Sequence, residues 1–128
     1  MLLLDTCALI WYSAGKSDLS EKAGTAIREN PDEVFVSAAS ALEIGIKVKS
    51  GKLGFALPPE KWYQQALEAF SIREIPVDAR ISFEAAALPA VHNDPFDRLI
   101  IATARLNRLT VVTSDQVFHR YKDIKVLW

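Results

Sequence analysis

A chain of 128 residues, half of them hydrophobic and 24% charged, has ordinary globular composition and excludes a disordered or fibrous protein; it predicts one domain, residues 1–128, around one good core. The 15 basic and 16 acidic side chains leave a net charge of −1, so any contact with nucleic acid must come from a local basic patch. A lone cysteine, Cys7, excludes an internal disulfide, and the sequence shows neither a basic leader nor a membrane-length apolar run, so a cytoplasmic protein without membrane contact is expected.

Residues 1–4 are a short apolar run of the buried-strand type, closed by Asp5. Residues 6–14 read as a helix with Leu9, Ile10 and Trp11 inward. In "GKSDLSEKAGTAIREN" an amphipathic helix follows, capped at Ser17, Asp18 or Ser20 and stopped before Asn30-Pro31. "EVFVS" (33–37) is a second buried strand. "SALEIGIKVKSGKL" is a helix with an apolar stripe through Leu42 and Ile46 and lysines opposite, ended near Gly51, and Ser40 to Glu43 matches a capping box. Pro58-Pro59 opens a helix in which Trp62, Ala66 and Phe70 recur four apart. "IREIPV" (72–77) is a strand, and "DARISFEAAAL" a short helix closed by Pro89. After the loop "PAVHN" come the helix beginning "DPFDRLIIATA", the strand "TVVTS" (110–114), a helical piece over 116–121 and the last strand "IKVLW". Helices alternate with short, continuously apolar strands, which predicts an α/β fold with a mostly parallel sheet covered on both faces.

Ligands of such sheets bind beyond the carboxyl ends of the strands. Asp5 closes the first strand and Asp115 follows "TVVTS", while Glu43 and Asp97 are expected in the first turns of helices. Four carboxylates can therefore converge on one sheet edge, an arrangement that is costly unless a cation neutralises it. Oxygen donors without a histidine or cysteine cluster suit Mg²⁺ or Mn²⁺ better than Zn²⁺. Each acid also has a plain structural reading. Asp94-Pro95-Phe96-Asp97 is a good helix start, with Asp94 as cap, Pro95 at the first helical position and Asp97 favourable to the dipole. Asp115 can equally be a turn residue. Spacing alone leaves both readings open.

The chain also resembles the PIN-domain family, specifically the VapC-type toxins of toxin–antitoxin pairs. "LLLDTCALIWY", "VFVSAASALEIGIKVKSGKL", "HNDPFDRLIIATA" and "LTVVTSDQVFHRYKDIKVLW" are similar to the family's blocks, in order, over nearly the whole length. The resemblance implies a PIN-like three-layer α/β/α sandwich forming a single PIN domain. It carries the metal-binding and catalytic acids onto Asp5, Glu43, Asp97 and Asp115, the last being the less strictly required. Thr6, Ser37 and Ser114 fall where small hydroxyl residues support the acids. Asp94 is expected to cap its helix while Asp97 faces the metal. Cys7 departs from the histidine often found at that position.

The implied activity is a Mg²⁺-dependent endoribonuclease, with Mn²⁺ as an alternative ion, that hydrolyses RNA by a metal-activated water and leaves 5′-phosphate ends. The implied partners are RNA, a small antitoxin and a second copy of the chain. For RNA contact the candidates are Lys47, Lys49, Lys52, Arg98 and Arg105, and His92 just before the acidic helix. A solvated face is the plainer reading of the cations, and Arg98 is expected either to pair with Asp97 or to touch substrate. The three tryptophans are expected in the core or an interface. Alternative readings are a housekeeping RNA-processing nuclease of the same family and a catalytically silent binding module. A phosphatase of the haloacid dehalogenase type is disfavoured, because it wants a second aspartate where Cys7 stands.

Overall fold

The computed structural model describes residues 1–128. Strand β1 (Leu2–Leu4) leads into α1 (Thr6–Ala14) and α2 (Glu21–Arg28); β2 (Val34–Ser37) is followed by α3 (Ala38–Lys49) and α4 (Pro59–Ala69). Then come β3 (Arg73–Ile75), α5 (Ala79–Ala87), α6 (Pro95–Asn107), β4 (Thr110–Val112), a 3₁₀ helix (Gln116–Arg120) and β5 (Lys125–Leu127). The strands form one sheet in the order β3-β2-β1-β4-β5, and every pairing is parallel.

β1 is the central strand, and its three leucines show why the sheet is covered on both sides. Successive side chains point to opposite faces. Leu2 and Leu4 join a cluster with Leu9 of α1, Ile27 of α2, Ile44 of α3 and Tyr63 of α4. Leu3 joins Ile100, Ile101 and Ala104 of α6 with Phe118 and Tyr121. The helix α5 packs on α6 through Ile81, Ala85 and Ala102. The result is the expected α/β/α sandwich, with α1 to α4 on one face and α5, α6 and the 3₁₀ helix on the other.

Two details depart from the expectation. α3 begins at Ala38, with the Ser37 hydroxyl accepting the N–H of Ala39 at 3.1 Å, so Ser40 lies inside the helix and Glu43 falls in the second turn. The cap moves because the chain leaves β2 directly into the helix without an intervening loop. The apolar stripe of α3 also faces outward: Leu42 is 60% and Ile46 49% exposed. The inward face carries Ala39, Ser40, Glu43 and Ile44 instead, polar groups included. In α4 the buried positions are Tyr63 and Ala66, and Phe70 lies half exposed beyond the helix end, edge-on to Tyr12. The tryptophans are packed aromatics, Trp11 edge-on to Trp128 at 5.8 Å and Trp62 stacked on Phe55 at 4.0 Å.

Candidate functional site

The sheet order places a topological switch at its centre. The chain runs outward from β1 to β2 and β3 on one side, then returns to β4 and β5 on the other. The crevice outside the carboxyl ends of β1 and β4 is where ligands of open parallel sheets bind. The four acids lie along this edge, and most reach it through helix starts.

Asp5 leaves β1 and caps α1, its Oδ1 accepting the Ala8 N–H at 2.8 Å. Asp115 follows β4 and caps the 3₁₀ helix, its Oδ1 accepting the Val117 N–H at 3.0 Å. Asp94 caps α6 by accepting from Phe96 at 2.8 Å and Asp97 at 3.3 Å. Asp5 and Asp115 thus use one carboxylate oxygen for the helix and keep the other for the crevice, so capping and ligand binding do not compete. Asp97, third residue of α6, turns its Oδ2 toward His92 Nε2 at 3.0 Å, and the same nitrogen lies 3.0 Å from Asp115 Oδ2.

Glu43 is held differently. Its Oε1 accepts the Thr6 hydroxyl at 2.6 Å, and Thr6 lies 2.9 Å from the Ser40 hydroxyl. Thr6 has one proton and gives it to the carboxylate, so Ser40 donates to Thr6. The other oxygen, Oε2, pairs with Lys47 one turn along at 2.8 Å, which raises the lysine pKa.

The acids feel one another. Burial pushes the Asp5 pKa up to about 6, and the charges of Glu43 and Asp115 add to the rise against the opposing hydrogen bonds of Thr113 and Ala8. Asp97 is pushed up to about 7 by burial and Asp94, with further contributions from Glu43 and Asp5 and an opposing one from His92. Burial and the Asp5 charge also push the Cys7 thiol up to about 11, so it remains protonated at neutral pH. Oxygen-rich, crowded with negative charge and partly dehydrated, this donor set fits a hard divalent cation. Donor atoms of His92, Asp97 and Asp115 lie within 4.8 Å of one another, which brings Asp97 and Asp115 close enough to share one ion.

A pH dependence follows, with a definite sign. Asp5 and Asp97 hold protons in the folded chain that the unfolded chain releases above its ordinary carboxylate value, here 3.8. Their stabilising contribution is complete below that value and is lost as pH rises through about 6 to 7. The Tm gained on adding Mg²⁺ is therefore expected to be larger at about pH 8 than at about pH 5, where protons already neutralise the site. Differential scanning fluorimetry with and without chelator measures this; an equal gain at both values contradicts it.

Several candidate residues fall elsewhere. Ser37 caps α3, and Ser114 is exposed. The hydroxyls serving the acids are those of Thr6, as expected, of Ser40 behind it, and of Thr113, whose Oγ1 accepts the Asp115 N–H at 3.0 Å. Arg98 does not pair with Asp97. Its guanidinium donates to the carbonyls of Ala85, Ala86, Leu88, Pro89 and His92 at 2.8 to 3.4 Å, tying the end of α5 and the following loop to α6. Arg105 pairs with Glu84 and Asp123. Lys47 stands beside Glu43, its side chain 40% exposed.

His92, a mere phosphate candidate from sequence, is joined to the acids through its ring. The sequence carries one weak signal of this, a histidine two residues before the helix cap. The distance to Asp115 along the chain hides the rest.

Residues 2–124 match the family model described as PIN domain. Ribonuclease VapC22 of Mycobacterium tuberculosis is 34% identical over 130 residues, spanning 99% of this chain and 98% of the relative. Among solved structures, DNA-bound VapBC from Salmonella typhimurium aligns with a TM-score of 0.72 at 19% identity, over 98% of this chain and 96% of that one. FitAcB from Neisseria gonorrhoeae aligns at 0.71 and 24% identity, over 100% and 97%. A toxin–antitoxin complex from Klebsiella pneumoniae aligns at 0.69 and 23%, over 100% and 97%. At these identities the structural likenesses speak for the fold.

Proposed function

The chain belongs to the PIN domain family, and from that premise we propose that it is a divalent-metal-dependent endoribonuclease, the toxin of a toxin–antitoxin pair. What supports the reading is the crowding of acids at the switch point of the sheet: Asp97 and Asp115 meet at His92 Nε2, and Asp5 and Asp97, each under the charge of Glu43, are held well above the usual carboxylate range. The 34% identity to a ribonuclease over nearly the whole chain supports the substrate class.

In this reading the four acids hold Mg²⁺, with Mn²⁺ as the alternative. A bound divalent cation supplies positive charge to the scissile phosphate and acidity to the attacking water. The chain supplies the rest. Ser40 and Thr6 orient Glu43 through their relay, and Thr113 fixes the main chain of Asp115. Lys47 reaches out from the same carboxylate and offers a cation to the RNA backbone, which the acids would otherwise repel. No histidine, serine or cysteine nucleophile is required, consistent with a Cys7 thiol that stays protonated.

The partners in this reading are RNA, a small antitoxin and a second copy of the chain. The exposed Leu42 and Ile46 of α3 and Phe83 of α5, the last 76% exposed, supply apolar surface suited to protein contacts. No helix is long and apolar enough to cross a membrane; we place the protein in the cytoplasm, where its RNA substrate lies.

Purified protein incubated with total cellular RNA and Mg²⁺ tests the reading. Discrete new fragments that vanish with chelator are expected. Intact RNA with Mg²⁺ and with Mn²⁺, from folded protein, overturns it.

A further inference from the structure

His92 places one ring nitrogen between two of the acids. Its Nε2 lies 3.0 Å from Oδ2 of Asp97 and 3.0 Å from Oδ2 of Asp115. Its other ring nitrogen, Nδ1, accepts the main-chain N–H of Asp94 at 3.3 Å. A nitrogen that accepts holds no proton, so that bond assigns the ring proton to Nε2, where both carboxylates can share it. The ring stands edge-on to Phe118, with centroids 5.7 Å apart and planes at 89°. Its main chain is fixed on both sides, the N–H to the Tyr121 hydroxyl at 3.0 Å and the carbonyl to Arg98 at 3.1 Å. A rigid loop therefore holds one donor between two acids.

Those acids need such a link. Asp97 belongs to α6, while Asp115 follows β4 on a short 3₁₀ helix, and no main-chain bond joins the two carboxylates. Asp115 has the more exposed side chain of the two, 38% against 20%. Its freedom to swing away is the larger.

We propose that His92 is a positioning residue of the metal site: Nε2–H bridges Asp97 and Asp115 and holds the fourth acid where it shares a cation with the third. The imidazole donates to the ligands and does not itself bind the ion. This inference rests on the metal-dependent reading above, and its test separates the two. Asp94 acquires a second task by it, since its N–H sets the tautomer of the histidine while its side chain caps α6.

Calorimetric titration of Mn²⁺ into the wild type, His92→Leu, His92→Gln, Asp115→Asn and the His92→Leu/Asp115→Asn double variant tests it. Leucine keeps apolar contact with Phe118 and leaves both main-chain anchors intact. His92→Leu is expected to weaken Mn²⁺ binding by about 10- to 100-fold, the range for a group that orients a metal ligand. His92→Gln, whose amide can donate from near the Nε2 position, is expected to recover most of that loss. In the Asp115→Asn background the leucine is expected to cost much less, because little remains to be tethered. Pulsed EPR of the Mn²⁺-loaded wild type is expected to show no directly coordinated nitrogen. Unchanged Mn²⁺ affinity in His92→Leu overturns the positioning role, and a ring-nitrogen coupling that disappears in His92→Leu overturns the donor role in favour of direct ligation. A folded wild type that binds no Mn²⁺ overturns the metal reading itself.

Discussion

Asp97→Asn is expected to melt higher than the wild type in chelator at about pH 8, and at the same time to lose RNA cleavage. The two effects have one cause. Burial and neighbouring carboxylates push the Asp97 pKa up to about 7, so in the metal-free protein its negative charge opposes folding. An amide of the same shape removes that charge and can keep a contact with His92. The gain is expected to be on the order of 1–2 kcal/mol after relaxation and screening, at roughly 4 °C per kcal/mol for a chain of this length. Cleavage should fall by more than the roughly 100-fold that removal of a mere supporting residue can cause. The stabilisation should reverse when Mg²⁺ is added, because the wild type then gains binding energy that the variant lacks. A variant that melts lower in chelator makes the Asp97 carboxylate a structural group of the first turn of α6, and undiminished cleavage removes it from the site.

Arg98→Ala is expected to destabilise the fold by about 3 kcal/mol or more, a Tm fall on the order of 10 °C. Helices end with carbonyls that lack intrahelical partners, and the negative end of the dipole attracts a cation there. Arg98 meets both demands at the end of α5, donating to Ala85, Ala86 and Leu88, and continues along the loop to Pro89 and His92. Hydrogen bonds from a charged group are among the stronger ones, and removing the donor leaves several acceptors unpaired at once. Arg98→Lys is expected to recover little, since an ammonium donates from one point and cannot span five carbonyls. The loss should spread to metal affinity, because the same clamp fixes the carbonyl of His92. Thermal melts of the three proteins decide this. An Arg98→Ala variant of unchanged Tm with weakened RNA binding would return the residue to substrate contact.

The alternation of strands and helices was legible because every strand is a short, continuous apolar run, as buried parallel strands must be. The positions of the acids were legible for a related reason, since Asp5 and Asp115 close such runs and Asp97 sits inside a strong helix-start pattern, but a metal role for them came from the family resemblance and not from the spacing. Their hydroxyl partners were harder. Ser114 and Thr113 differ by one position, and at a strand end one position reverses the direction of the side chain. Ser40 matches a cap in the sequence because nothing local says that α3 starts immediately at the end of β2. Leu42 and Ile46 form a helical stripe whose period is real but whose direction depends on which face the sheet takes. Arg98 and His92 lay furthest from reach. His92 itself, and several of the carbonyls that Arg98 reaches, lie on a loop whose path is set by tertiary hydrogen bonds, including the Tyr121 hydroxyl donating to Pro89.

The chemistry of the RNA ends that the protein produces decides whether it cuts by metal-dependent hydrolysis. Hydrolysis by water, helped by a divalent ion that Asp5, Glu43, Asp97 and Asp115 would hold, predicts fragments with 5′-phosphate and 3′-hydroxyl ends, lost with chelator and in Asp97→Asn. Fragments ending in 2′,3′-cyclic phosphate would contradict it, because the RNA's own 2′-hydroxyl would then be the nucleophile, and so would cleavage that persists in chelator, because the reaction would then need no ion for the four carboxylates to hold.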